Sequence, residues 1–452
     1  MMTSVVVGLG KTGASLLRYL TKRGLAAAAT DSRAAPPGLA ELGALARSVD
    51  IRLGGFDLAL LEGATQLLIS PGVSLEEPIA AAARARGIPV LGDIELFARA
   101  ARAPVIGITG TNGKSTVTSL VAHMAAAAGR RVLAGGNLGK PALDLLEEPV
   151  PDLYVLELSS FQLETTQSLE LAAAVVLNVT ADHLDRYRSV EAYAEAKARI
   201  FARAATVVLN ADDARVAAMR RTLRAGPDAG GRAAPRIVTF SIERADADYG
   251  IVRRGSEVWL AQGGKPLIDC ARMKIAGLHN AANALAALAL GAAVSLPMPK
   301  MLAALQTFAG LKHRSEWVAD LAGVRYIDDS KGTNVGATLA AVAGLAGPLV
   351  MIAGGEGKGQ DFAPLAAAFK GKVRRVVLIG KDAAAIEAAL GGVCATERAA
   401  TLPAAVRAAA AAARPGDTVL LSPACASLDM FRDYSQRGEV FAAAVRALGG
   451  GA

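Results

Sequence analysis

Residues 107–116 read GITGTNGKST, at the end of the apolar run PVIGI. Glycines at 107, 110 and 113 allow a tight bend, and Lys114, Ser115 and Thr116 open the stretch that follows. Such a loop suits phosphate. Backbone N–H groups face the anion, a lysine reaches the β- and γ-phosphates, and a hydroxyl ligates Mg²⁺. The usual P-loop spelling puts a glycine where Ile108 stands, so the motif is off by one position. The strand before it and the helix after it are the context the motif needs.

Other ionisable groups stand at the ends of apolar runs. Glu157 closes YVLE, where a carboxylate can meet a bound cation or simply face water. Asp182 and His183 follow VVLNVT. A histidine there can ligate metal, orient a substrate or cap a helix. Lys197 comes four residues after Tyr193 in VEAYAEAKARIF. That spacing predicts a lysine lying along apolar surface with its charge in water. GLGKTGAS (8–15) spells G-x-G-x-x-G, and Asp31 ends the next strand. NAD(P), or any nucleotide with a pyrophosphate, suits that turn. Late in the chain, DDSKGTN (328–334), GGEGKGQDF (354–362) and LSPACASLDMF (421–431) carry Lys331, Thr333, Lys358 and Ser427. Donors converging at one sheet edge suit a carboxylate-bearing ligand. Arg314, beside His313, stands where it could reach a transferring phosphate.

These loops need strands whose ends converge. The chain has 452 residues, 52% hydrophobic and 20% charged, which predicts a globular protein of two to four domains. Short apolar runs alternate with helical stretches, and the pattern restarts near residue 93 and after 310. Three α/β domains are expected, 1–92, 93–310 and 311–452, on mostly parallel sheets. GPDAGGRAAP reads as a loop, and AANALAALALGAAVSLPMP as a buried helix and its exit, with no membrane span. Net charge is +8, but the densest basic stretch, 215–236, lacks interleaved aromatics. A solvated basic surface is expected, with no nucleic acid partner. Cys270, Cys394 and Cys425 match no metal spacing and suit a reducing compartment. TSVVVGLG has no charged-then-apolar leader before it, so a cytoplasmic location is expected.

Together, GITGTNGKST, ELSSFQLE (157–164), LNVTADHLDRY (177–187), GLHNAANALAALAL (277–290), KHRSE (312–316), DDSKGTN and LSPACASLD resemble the bacterial Mur ligases. The match runs in order from residue 5 to about 441. ELSSFQLE and SPACASLD resemble the branch that adds D-glutamate to UDP-N-acetylmuramoyl-L-alanine. The resemblance implies Rossmann-like first and last domains around a P-loop ATPase-like centre. It implies ATP, two Mg²⁺ ions and an acyl-phosphate intermediate. Gly13, Ala14, Ser15, Asp31, Ser32, Gly72 and Asn137 would bind the UDP substrate. Gly110, Thr111, Asn112, Gly113, Lys114, Ser115, Thr116, Asn283 and Arg314 would contact ATP, and Asp329 its ribose. Ser115, Glu157, His183 and Lys197 would hold metal, with Lys197 carbamylated, which reverses its reading as a surface lysine. His183, Lys331, Thr333, Lys358, Ser427, Leu428 and Tyr434 would line the D-glutamate site. Catalysis would rest on Lys114, His183, Lys197 and Arg314.

Three departures from the family pattern stand out. Tyr434 stands where Phe is familiar, Ser32 where Thr is, and Lys11 at an often apolar place in the UDP loop. Substrates spread over three domains imply closure of the last domain, and a monomer needs no extra assumption. A P-loop kinase would share Lys114 and Glu157 but has no use for the loop at 8–15. A folylpolyglutamate-synthase-like ligase would lack the UDP domain.

Overall fold

The computed structural model describes residues 3–449 except 224, 227–230, 276 and 346. Three sheets organise it, one for each of three α/β domains. The first has the order Asp50–Leu53, Ala26–Asp31, Thr3–Val7, Ala64–Ile69, Val90–Leu91, all parallel. The third runs Glu316–Leu321, Val324–Asp328, Thr418–Leu421, Leu349–Gly354, Val373–Ile379, Ala395–Arg398, with only the first strand antiparallel.

The middle sheet has nine strands. Its parallel part is built on Val105–Thr109, which lies between Leu153–Glu157 and Leu171–Val176. All five residues of that central strand are buried, as an unbroken apolar run should be. Arg236–Phe240 hands over to an antiparallel extension, Tyr249–Arg254, Glu257–Gln262 and Lys265–Asp269. The helices Lys114–Ala127 and Leu278–Ala293 share one core cluster on this sheet, through Val117, Leu120, Val121, Ala284, Leu285 and Leu288. Ala281, Ala284, Ala286, Ala287 and Ala289 of the second helix join the same cluster and keep its packed side chains short.

The helix expected at AANALAALALGAAV is Leu278–Ala293. Among the described residues, no helix is long and apolar enough to cross a membrane. In GPDAGGRAAP, residues 227–230 lie outside the described residues, and 231–235 form neither helix nor strand. That gap also falls inside the basic stretch at 215–236.

Arg437 is 0% exposed inside the last domain. Its guanidinium donates to the carbonyls of Ser330, Cys425 and Ala426 and to Ser330 Oγ. It thereby ties the 328–334 loop to the 421–431 loop. Gly438 beside it has no room for a side chain: a Cβ would lie 2.1 Å from His313 Nδ1. Arg437→Met leaves several buried acceptors unmet, so we expect the last domain to lose at least about 3 kcal/mol. Urea unfolding followed by a probe in that domain checks this. A midpoint equal to that of the parent would contradict it.

Candidate active site

The 107–116 loop is built as its sequence requires. Gly113, at φ 84°, ends the bend in the left-handed region and precedes Lys114–Ala127. A Cβ there would lie 2.6 Å from Asn283 Oδ1, so close approach and backbone conformation both demand glycine. Lys114 Nζ folds over the loop and donates to the carbonyls of Gly110 (2.8 Å) and Thr111 (2.9 Å). Arg314 crosses from the last domain, and its Nη2 donates to Ser115 Oγ at 2.6 Å.

A cavity of about 290 Å³ lies beside the loop. Asn112, Gly113, Thr116, Asn283, Arg314 and Asp329 line it, with His279 and Lys331. Asp329 accepts from Ser315 N–H and Ser422 Oγ, and burial pushes its carboxyl up to about 7. Asn283 Nδ2 donates to Asn280 Oδ1 at 3.1 Å.

A second cavity, about 270 Å³, shares Asn112, Gly113, Arg314 and Lys331 with the first. It brings together Thr111, Lys114, Ser115, Asn137, Glu157, His183, Lys197, Thr333 and Lys358. Asn137 Nδ2 donates to Glu157 Oε1 at 2.7 Å, while Glu157 Oε2 is buried with no hydrogen-bond partner. A carboxylate oxygen in that state, beside a serine hydroxyl and an imidazole, fits a divalent cation. Among the described residues, the compact His/carboxylate cluster is a different one, His313, Glu316 and Asp328. His313 Nδ1 sits 2.7 Å from Asp328 Oδ2 there, which holds the junction loop.

His183 adopts φ 54° and Lys358 φ 51°. Both conformations are uncommon for residues with a Cβ and mark a constrained site. Burial lowers the His183 pKa, with the Asp182 carboxylate opposing it. Neutral imidazole is thereby favoured, the form that can ligate metal.

Lys197 corrects the reading from spacing. It is 1% exposed, not snorkelling. The inner face of Val190–Ala198 meets the nucleotide loop instead of water, and Lys197 Nζ donates to Gly110 O at 3.0 Å. The Tyr193 ring packs 4.3 Å from it. Burial, and then the nearby Lys114 charge, hold its amine well below the usual lysine range.

The third cavity, about 860 Å³, lies over the first sheet. Gly8, Gly10, Lys11, Thr12, Asp31, Ser32 and Gly72 line it, and it meets the second cavity at Asn137, Phe161 and His183. Burial raises the Asp31 pKa, but hydrogen bonds from Arg33 and from Leu9 N–H outweigh it and hold the carboxyl at about 2. Gly13, Ala14 and Ser15 face elsewhere. Gly13 presses on Gly8 O, Ala14 joins the core, and Ser15 Oγ donates to Asp144 at 2.6 Å.

The expected amino-acid residues divide in two. Lys331, Thr333 and Lys358 line the second cavity. Tyr434 supports them, its ring 3.9 Å from Lys331 Nζ. Ser427 is buried away from the three cavities, and Leu428 is 65% exposed. Residues not anticipated as site residues also line these walls: Phe161, Asn178, Thr180, His279 and Asn334. Asn178 and Thr180 lie in the loop after Leu171–Val176, and Asn334 caps the helix Val335–Gly344; these loop positions were the available signal.

Family models match in three stretches: "Mur ligase MurD-like, N-terminal domain" over 2–92, "Mur ligase middle domain" over 108–291, and "Mur ligase, glutamate ligase domain" over 313–425. A Nitrosococcus oceani protein named UDP-N-acetylmuramoylalanine--D-glutamate ligase is 55% identical over 447 residues, covering 98% of this chain and 96% of that one. A Pseudomonas aeruginosa protein of the same name is 51% identical, covering 98% of each. Among solved structures, the Thermotoga maritima UDP-N-acetylmuramate-alanine ligase aligns with a TM-score of 0.62 at 19% identity, covering 99% of this chain and 100% of that one. E. coli FolC in complex with DHPP and ADP aligns with a TM-score of 0.57 at 16% identity, covering 79% and 93%. Three matched domains in order, and full-length identity above half, place the chain in the Mur ligase family.

Proposed function

We propose that this chain uses ATP to join D-glutamate to UDP-N-acetylmuramoyl-L-alanine, an amide-forming step in peptidoglycan precursor synthesis. The observation that carries this is continuity. A nucleotide cavity, a charged central cavity and a large cavity over the first sheet meet through shared wall residues. Relatives at 51% and 55% identity carry the name of that ligase. The large third cavity favours a bulky nucleotide-linked acceptor over the acceptor of a folylpolyglutamate-synthase-like ligase.

Residues 1–92 hold the UDP end, 93–310 hold ATP, and 311–452 bring the amino acid. The L-alanyl carboxylate attacks the γ-phosphorus, the bond to the β,γ-bridging oxygen breaks, and ADP leaves. The resulting acyl phosphate has phosphate as a leaving group, where a free carboxylate has only oxide. The D-glutamate amine, deprotonated, then attacks the carbonyl and phosphate departs. Lys114 and Arg314 hold the transferring phosphoryl group, so their work is positioning and charge neutralisation. Mg²⁺, when bound at two sites by Ser115, Glu157, His183 and Lys197, supplies charge neutralisation at the phosphates. Lys197 serves there as its carbamate. Neutral amine is the form that adds CO₂, and burial favours that form of Lys197 by lowering its pKa. The substrate-binding loops all come from one chain, which suits a monomer. Three free cysteines suit the cytoplasm.

Positional isotope exchange tests the order of steps. ATP labelled at the β,γ-bridging oxygen should scramble in the presence of acceptor alone. Amide formation with no transfer of phosphoryl to the carboxylate would contradict the reading.

Lys331 gives a pH signature. Burial, then the charges of Arg314 and Lys114, lower its pKa to about 8. Its ammonium is therefore present below pH about 8 and lost above. Affinity for a carboxylate falls as the charge goes, so KM for D-glutamate should rise above that pH. Lys331→Arg, charged throughout, should flatten the rise. A KM independent of pH between 7 and 9 in the parent would contradict this role for Lys331 (those limits span about one unit either side of the shifted pKa).

A further inference from the structure

We propose that Asn112 and Asn334 form a clasp that couples the nucleotide loop to the amino-acid loops, which makes Asn334 a positioning residue for the second substrate. The inference rests on the function proposed above. Asn112 Nδ2 donates to Asn334 Oδ1 at 3.2 Å, and Asn334 Nδ2 donates back to Asn112 Oδ1 at 3.1 Å. The pair is reciprocal and crosses between domains, joining residues 222 apart in sequence. Asn334 is 3% exposed, so parting the pair strands amide groups that water reaches poorly.

Each half is anchored in its own domain. Asn112 N–H donates to Asn178 Oδ1 at 2.8 Å, and Asn178 Nδ2 returns a bond to Asn112 O. Thr111 Oγ1 accepts from Thr180 N–H, so the nucleotide loop and the 178–180 loop move as one. On the other side, Asn334 Oδ1 caps the helix Val335–Gly344 by accepting from Ala337 N–H at 2.8 Å. Helix and loop also approach closely. A side chain on Gly336 would meet Thr180 Oγ1 at 3.0 Å.

The clasp residue is flanked by the groups that face the central cavity. Thr333 precedes it. Val335 N–H follows and donates to Gln360 Oε1 at 2.9 Å, and Gln360 Nε2 donates to Gly357 O. That second bond fixes the turn carrying Lys358. The amide pair thereby links a shift of the 107–116 loop to both Thr333 and Lys358, alongside the bond from Arg314 to Ser115. Asn334 Nδ2 also lies 3.4 Å from Asp182 Oδ2, beside His183. The amino-acid donors take their working places when the nucleotide loop holds Asn112 in register.

A double-mutant cycle on the full-length enzyme tests this. Asn334→Ser keeps a capping oxygen for Ala337 but is too short to reach Asn112. Asn112→Ala removes the other half. At saturating ATP and acceptor, each single variant should raise KM for D-glutamate about tenfold, with a smaller change in kcat. The double variant should also stand at about tenfold, because the bond pair to Asn112 is broken by either change and the longer Asn334 contact to Asp182 adds little. Rises that multiply to about a hundredfold, or single variants with parental KM, would overturn the clasp. If the parent shows no turnover with D-glutamate, the proposed function fails, and X-ray scattering decides the clasp alone. With Mg²⁺ and a non-hydrolysable ATP analogue, the parent should contract and the double variant should not. Equal contraction of the two would overturn it.

Discussion

Lys197→Ala should lose about three orders of magnitude in turnover, near the upper end for removing one group that stabilises charge in a closed site. The side chain is buried between the Tyr193 ring and Gly110 O, and it lines the same cavity as Glu157, His183 and Ser115. Two roles are possible for a lysine so placed. As an amine, it would only brace the nucleotide loop through Gly110. As a carbamate, it would give Mg²⁺ an anionic oxygen pair, the ligand that hard cation prefers. Burial and the Lys114 charge lower the amine's pKa and so favour the neutral form that adds CO₂. The two roles separate by experiment. The carbamate reading expects small carboxylic acids to restore part of the activity of Lys197→Ala by filling the vacated space. It also expects parental activity to fall when CO₂ and bicarbonate are stripped. Insensitivity to both would leave only the brace.

Glu157→Gln should lower kcat by about 10²- to 10³-fold while the fold stays intact. The change is isosteric, and the bond from Asn137 to Oε1 can persist. What disappears is the charge at Oε2, the buried oxygen with no protein partner. The Mg²⁺ concentration giving half-maximal rate should rise with it. Titrating Mg²⁺ against initial rate in the variant and the parent makes the check. Equal rates with equal metal dependence would remove Glu157 from the metal-binding set.

How far the sequence could be read depended on the range of the interaction involved. The nucleotide loop is local: an apolar strand, three glycines and a helix start lie within a few residues, and the structure has that arrangement. Strands buried on both faces announce themselves as apolar runs. Six strands lacked that signature: Asp50–Leu53, Val132–Gly136, Tyr249–Arg254, Lys265–Asp269, Glu316–Leu321 and Ala395–Arg398. Five of them are sheet edges, and edge strands carry mixed, half-exposed sequences.

Lys197 shows the limit most clearly. Its own helix carries alanines on every side, so the sequence defines no inner face, and its partner Gly110 is 87 residues away. Only the family resemblance pointed to its burial. Ser15 is similar, since its hydroxyl is taken by Asp144 from another domain. Asn334 carried no signal of its own in DDSKGTN. Its pairing with Asn112 exists only once two domains meet.

The most direct test of the account is ATP-dependent phosphate release with UDP-N-acetylmuramoyl-L-alanine as acceptor. Purified enzyme with Mg²⁺ would be offered D-glutamate, L-glutamate, L-alanine and L-lysine in turn. The account predicts sustained phosphate release with D-glutamate alone, matched mole for mole by new amide. Sustained release with another amino acid in place of D-glutamate, or release without amide, would contradict it.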